Sequence, residues 1–210
     1  MDPQQQQSKK LTLSELEEKS TNFLLDYVFD FNKCFVAGGI FPRLYHNMPM
    51  RDIDIYLKEG INFDEVLQEY KNNYTTMMLR NGYAKLKSND GSIILDVIDF
   101  HKPKTTAFCS SFDFLHCRAN LTRNGSSLVF SAPPLVFHCI ETMTLMIDQH
   151  SLVGSKTIQR LVKYLKMGYT IEKDDINYLY RRIAESIKIS IMSRDESSTA
   201  DAVFEDYDLK

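Results

Sequence analysis

The chain begins with a polar, glutamine-rich lead over residues 1–10, then takes up a helical period. Leu16, Phe23, Leu24, Tyr27 and Val28 fall near helical spacing, and Ser14 with Glu17 has the pattern of a capping box. Lys33-Cys-Phe-Val-Ala-Gly-Gly39 follows, a short apolar run that predicts a buried strand entering a tight turn, with a short helix over 41–46 after it. Asp52-Ile-Asp-Ile-Tyr-Leu57 alternates polar and apolar positions and predicts a strand. Residues 62–70 read as a helix capped by Asn62. Residues 83–87 and 92–100 read as a hairpin around Asp90-Gly91, and 112–119 with 127–130 as a second hairpin turning at Asn124-Gly125.

Pro133-Pro134 ends this region. Residues 135–147 are apolar nearly all round and predict a buried helix. Ser155 to Met167 predicts an amphipathic helix with Ile158, Leu161, Val162 and Leu165 on one face and Arg160, Lys163 and Lys166 elsewhere, and 174–191 another. The expected organisation is a polar lead (1–10), a mixed α/β domain (11–132), a helical domain (133–192) and an acidic, flexible tail (193–210).

Composition adds few constraints. The 210 residues are 43% hydrophobic and 25% charged, ordinary for a globular chain. The net charge of −3 is uneven: residues 195–210 carry six acids and one lysine, leaving the body mildly basic. Nucleic-acid contact would therefore need a local patch, for which Arg160, Lys163, Lys166, Arg181 and Arg182 are candidates. Cys34, Cys109, Cys117 and Cys139 form no C-x-x-C pair and read as free, mostly buried thiols. His116-Cys117 and His138-Cys139 match no familiar zinc spacing and read as core residues. No stretch approaches the roughly 20 apolar residues of a membrane span, and the N-terminus has no apolar signal core. A cytoplasmic protein is expected.

The chemistry concentrates in residues 36–57. On a strand, Asp52 and Asp54 project from one face while Ile53 and Ile55 project from the other. Adjacent carboxylates repel unless a cation bridges them, and a hard cation such as Mg²⁺ suits such oxygens. Gly38-Gly39 lets backbone approach a ligand closely, and a helix starting there would offer free N–H groups to a phosphate.

An apolar run, Gly-Gly, a twelve-residue spacer and Asp-x-Asp together resemble the DNA polymerase β-type nucleotidyltransferase superfamily. The chain is most similar to nucleotidyltransferase-like proteins of phages and large viruses. Those pair Ala-Gly-Gly…Asp-Ile-Asp-Ile-Tyr with a later Phe-Asp-Phe…Cys segment, matched here by Phe112-Asp-Phe-Leu-His-Cys117. The resemblance covers about residues 33–120. It implies an α+β nucleotidyltransferase fold: a small mixed sheet flanked by helices, followed by a helical C-terminal region. It implies transfer of an NMP group from an NTP, ATP among them, to a hydroxyl, with release of pyrophosphate.

By the same resemblance, Gly38 and Gly39 would hold the triphosphate of the nucleotide, and Asp52 and Asp54 would hold Mg²⁺ or Mn²⁺; Arg43 and Arg51 are further candidate phosphate contacts. A third carboxylate, for metal and for catalysis, falls to Asp96. Asp99 lies on the opposite pleat of a regular strand and Asp113 is a further option; a bulge between Asp96 and Asp99 would reverse the choice. CCA-adding enzymes carry an Arg-Asp pair soon after the glycines, whereas this chain has Phe41-Pro42-Arg43-Leu44. The acceptor (RNA end, protein or small molecule) stays open, and so does the alternative of an inactive protein that kept the fold to bind nucleotide, nucleic acid or a protein partner.

Overall fold

The computed structural model describes residues 10–27, 29–50, 52–99 and 106–196. The polar lead up to residue 9, Val28, Arg51 and the acidic tail from residue 197 lie outside the described residues. The strands are β1 (Cys34–Ala37), β2 (Asp52–Leu57), β3 (Tyr74–Arg80), β4 (Tyr83–Ser88), β5 (Ile94–Ile98), β6 (Asn120–Asn124) and β7 (Ser127–Ser131), with a short parallel pair, β8 (Thr144–Leu145) and β9 (Thr170–Ile171). The helices are α1 (Leu13–Leu25), α2 (Ile40–Tyr45), α3 (Phe63–Tyr70), α4 (Pro134–Thr142), α5 (Ser155–Lys166) and α6 (Lys173–Glu196).

The first seven strands form one sheet in the order β3-β4-β5-β2-β1-β6-β7. Among these pairs only β2 with β5 is parallel. The two strands that carry the acids are therefore neighbours near the middle of the sheet. The α+β class and the mixed sheet agree with expectation.

Alternation along the central strands builds the two faces. Ile53, Ile55, Leu95 and Val97 point to one side and pack, fully buried, against Leu16 and Leu24 of α1, Ile40 and Phe41 of α2 and Val66 of α3. The opposite side carries a smaller core of Phe35, Ala37, Tyr56, Tyr83, Ile98 and Cys109. Phe35 stacks on Tyr56 at 5.4 Å between ring centroids, and Phe112 tilts onto Tyr56 at 5.7 Å. A third cluster joins Phe114 and Cys117 to Leu145, Ile147, Tyr164, Tyr169, Leu179 and Ile183, so the helices of the C-terminal half share a core with the segment before β6.

Several boundaries differ from expectation. The capping box of α1 is Thr12 with Glu15, two residues before the Ser14–Glu17 pair: Thr12 Oγ accepts from the Glu15 N–H, and the Glu15 carboxylate accepts from the Thr12 N–H. Strand β3 was not foreseen, because this edge strand leaves Thr75, Thr76, Met77 and Leu79 exposed and shows no alternation. Residues 112–119 are not a strand. Their spaced aromatics serve the third core through 3₁₀ turns over Thr106–Ser111 and Leu115–Cys117. The helix expected over 135–147 stops at Met143, whose left-handed backbone (φ 54°) ends α4 so that β8 can pair with β9.

Helix α5 has the expected span, and Leu161 of its apolar face packs against the third cluster. Thr157 and Tyr164 are its buried residues, while Ile158, Val162 and Leu165 are more than 40% exposed. Of the two histidine–cysteine pairs, His116, Cys117 and Cys139 are buried but His138 is exposed. All four cysteines are free and buried.

Arg118, 9% exposed, ties the end of the 3₁₀ segment to the α4–α5 connection. Its guanidinium grips both Asp148 oxygens at 2.6 and 2.8 Å and donates to Ser151 Oγ and the Phe112 carbonyl. This fork holds the Asp148 carboxyl down to about 2. Arg118→Ala strands Asp148 and the Phe112 carbonyl and takes a donor from Ser151 Oγ. Because Asp148 is about a third exposed, the expected loss is about 2–3 kcal/mol, at the low end for a broken buried pair. Urea denaturation of the variant checks it.

Candidate active site

The site is built where β1 turns. Its last residue, Ala37, pairs with Asp54 across the antiparallel β1–β2 ladder. The chain then bends at Gly38, whose φ of +96° is open to glycine but strained for other residues. The Gly38 N–H donates to the Cys117 carbonyl at 3.1 Å. That N–H is committed to the protein, so Gly38 offers a ligand close approach rather than a donor. Gly39 caps α2 with no side-chain hydrogen bond over its first turn. A Cβ on Gly38 would stand 2.8 Å from Asp54 Oδ2, so the carboxylate lies directly against the bend.

On the other side of β2, the parallel register pairs Asp54 with Asp96 and Asp52 with Ile94. Asp52, Asp54 and Asp96 therefore share one face of two adjacent strands. The β4–β5 ladder runs without interruption through Asp96, Val97 and Ile98, so no bulge intervenes and Asp96 is the residue on this face. Asp99 follows the end of β5 and donates its N–H to the Gly82 carbonyl. Asp113, 4% exposed, is engaged by Arg160 at 2.8 Å.

The electrostatics are strained. Burial, then the charges of Asp96 and Asp52, push the Asp54 carboxyl up to about 7, against the pull of Lys163 and Arg160 on α5. Asp96 is raised too, chiefly by burial, but two donors oppose this. Tyr83 O–H donates to Asp96 Oδ1 at 2.7 Å, and Lys85 Nζ stands 3.5 Å from the same oxygen.

These donors decide how far the residues suit a divalent cation. Asp52 and Asp54 fit: they are two hard-oxygen donors on one strand face, and Asp54 lacks a full counter-charge. The three acids do not form a ready cage. Among the described residues no three His, Cys, Asp or Glu side chains are disposed to hold a metal, and Asp96 is held by Tyr83 and Lys85.

Over this face stands α5. Tyr164 O–H lies 3.6 Å from where a Gly39 Cβ would be and is hydrogen-bonded with the Cys117 thiol at 3.1 Å. Beside it opens a cleft of about 600 Å³ between α2 and α5, lined by Arg43, Met48, Pro49, Gln159, Val162, Lys163, Lys166 and Met167. Arg43 donates to the Pro49 carbonyl at 2.8 Å and so forms part of the wall. Of the expected basic groove, Lys163 and Lys166 face this cleft, Arg160 pairs with Asp113, and Arg181 and Arg182 sit over the Tyr178 ring.

Tyr83 and Lys85 were missed from sequence, although a signal existed. In a hairpin centred on Asp90-Gly91, Lys85 and Asp96 are equidistant from the turn and must face each other.

Behind the bend lies His116, fully buried among Phe114, Tyr164 and Tyr169, with no hydrogen-bond partner for Nδ1 among the described residues. Burial drives its imidazole down to about 3. Since the unfolded chain binds this proton near pH 6.5, stability from the neutral ring is complete above that value and is lost as pH falls toward 3. The expected slope is up to about 1.4 kcal/mol per pH unit. Denaturant melts between pH 4 and 7 should show His116→Phe flattening that slope relative to the native chain.

Solved structures with the same fold include a CCA-adding enzyme with CTP (TM-score 0.58, 14% identity, 85% of this chain and 46% of that one). A CCA-adding enzyme with ATP (0.56, 14%, 86% and 45%) and the Thermotoga maritima CCA-adding enzyme complexed with tRNA (0.54, 14%, 84% and 44%) are also similar. The chain thus spans less than half the length of these neighbours, and at such identity the likeness establishes the nucleotidyltransferase fold alone. No curated protein matches the chain. No helix among the described residues is long and apolar enough to cross a membrane. A family model described as Gabija anti-defense 2 family protein matches residues 4–210, nearly the whole length. The chain belongs to the Gabija anti-defense 2 family.

Proposed function

We propose that the protein is a metal-dependent nucleotidyltransferase that moves an NMP group from an NTP to a hydroxyl acceptor and releases pyrophosphate. The observation that carries this reading is the contact of Asp54 with the Gly38 bend, on a strand face shared with Asp52 and Asp96. Solved neighbours with CTP, ATP and tRNA support an NTP as substrate and an RNA end as one acceptor beside a protein or small-molecule hydroxyl.

In this reading Asp52 and Asp54 would hold Mg²⁺ or Mn²⁺ beside the substrate phosphates. The bound ion would polarise the α-phosphate and acidify the attacking hydroxyl. The Gly38–Gly39 bend lets the triphosphate approach the acids, and the backbone after Gly39 supplies N–H donors. Arg43, Lys163 and Lys166 neutralise phosphate charge from the cleft wall. Asp96, its proton affinity raised by burial, takes the proton from the acceptor. The family's description as anti-defense supports a phage-borne protein working in the host cytoplasm on a component of a defence system.

One observation favours a second reading, in which the fold binds nucleotide or a partner without turnover: Asp96 already has a phenol and an ammonium as partners. The experiment is incubation with α-³²P-labelled NTPs, Mg²⁺ or Mn²⁺, and RNA or host protein extract. Label transfer that disappears in Asp52→Asn supports the enzyme. Nucleotide binding by calorimetry with no transfer to any acceptor supports the second reading, and transfer persisting in Asp52→Asn overturns the proposed site.

A further inference from the structure

We infer that Lys85 is a tethered cation that occupies Asp96 until a divalent ion displaces it, so that the empty site binds free metal poorly and receives it with the nucleotide. The inference rests on the reading of Asp52, Asp54 and Asp96 as one acid face. Three observations carry it. The β4–β5 register sets Lys85 directly opposite Asp96, so its position is fixed by the ladder and not by a wandering surface chain. Its ammonium stands 3.5 Å from Asp96 Oδ1 and is about 30% exposed, which keeps it partly shielded from water and salt. Finally, among the described residues no lysine or arginine is paired directly with the acid pair of β2; Lys163 and Arg160 act on Asp54 only through space.

The consequence is a matter of charge. Three carboxylates on one face attract a divalent ion strongly, and a single ammonium on the third removes both one negative charge and one ligand oxygen. Tyr83 donates to that same oxygen and fixes the carboxylate in the orientation that meets Lys85. A metal arriving with a triphosphate brings its own oxygens and needs Asp96 less. A free aqueous ion must displace Lys85 first. Lys85 is thus a positioning residue, acting through Asp96 and not on substrate.

The test is direct Mn²⁺ binding to the full chain without nucleotide, read as loss of the free aqueous Mn²⁺ signal in electron paramagnetic resonance. Lys85→Gln and Lys85→Met are expected to bind Mn²⁺ about ten- to hundredfold more tightly than the native chain, the range set by removing one nearby charge. Lys85→Arg should leave the affinity near native, and adding Asp96→Asn to Lys85→Gln should erase the gain. Affinities within twofold across the neutral variants, weaker binding in them, or no Mn²⁺ binding by any form overturn the inference. Because the readout needs no turnover, native label transfer with unchanged Mn²⁺ affinity in Lys85→Gln overturns Lys85's role alone. Absence of transfer with the predicted affinity gain would leave Lys85's role intact and count against the enzyme.

Discussion

Asp54→Asn is expected to lower nucleotidyl transfer by at least about a thousandfold while making the protein more stable above pH 7. The first effect follows from the loss of a ligand oxygen at the reacting phosphate; about 4 kcal/mol of transition-state charge stabilisation corresponds to that factor. The second follows from the sign of the proton linkage. Asp54 has an ordinary value of 3.8 and is raised to about 7 in the folded chain. Between those values the folded chain binds a proton that the unfolded chain does not, so stability declines as pH rises through 7. Above 7 a largely buried carboxylate is ionised beside Asp96 and Asp52, at a cost of roughly 2–4 kcal/mol. Asparagine removes that charge with little change of shape. Thermal melts at pH 8 without metal should place the variant about 5–10 °C above the native chain. Adding Mg²⁺ and NTP should raise the native midpoint and leave the variant where it was. A variant less stable than the native chain at pH 8 would remove the electrostatic account of the site.

Gly38→Ala should damage both fold and activity, for two separable reasons. The backbone at φ +96° is strained for any residue with a Cβ, and the new methyl group would meet Asp54 Oδ2 at 2.8 Å. Together these predict a loss of about 2–4 kcal/mol. They also predict loss of transfer, since the carboxylate must move to relieve the overlap. Steric and backbone parts separate in a double-mutant cycle. In an Asp54→Ala background the overlap is gone and only strain remains, so Gly38→Ala should cost about 1–2 kcal/mol less there. Equal costs in both backgrounds would show that bend and acid are independent.

Legibility from sequence followed how local each feature was. The apolar run before Gly38-Gly39, the alternation of residues 52–57, the Asn62 cap and the Asp90-Gly91 hairpin were all readable, and each became the element expected. The segment from Phe112 to Ala119 was misread because spaced aromatics look alike whether they line a strand or feed a separate core through 3₁₀ turns. Helix α5 shows the same limit: its apolar period marked the helix, but Tyr164 and Thr157 are buried while Ile158, Val162 and Leu165 are more than 40% exposed. Periodicity identifies an element; it does not say which neighbour will cover it.

For the site, the amino-acid sequence by itself determined that Asp52 and Asp54 share a strand face and that a glycine bend follows an apolar strand. Both depend on backbone geometry within a few residues. Only the tertiary structure decided that β2 and β5 lie side by side in parallel. That pairing, across some forty residues of chain, sets Asp96 beside Asp54, and so joins the Lys85–Asp96 pair of the Asp90-Gly91 hairpin, which the turn already fixes, to the acids of β2. It likewise brought α5, over a hundred residues downstream, above the bend. Contacts between distant segments come from closing the whole core at once, and no local pattern records them.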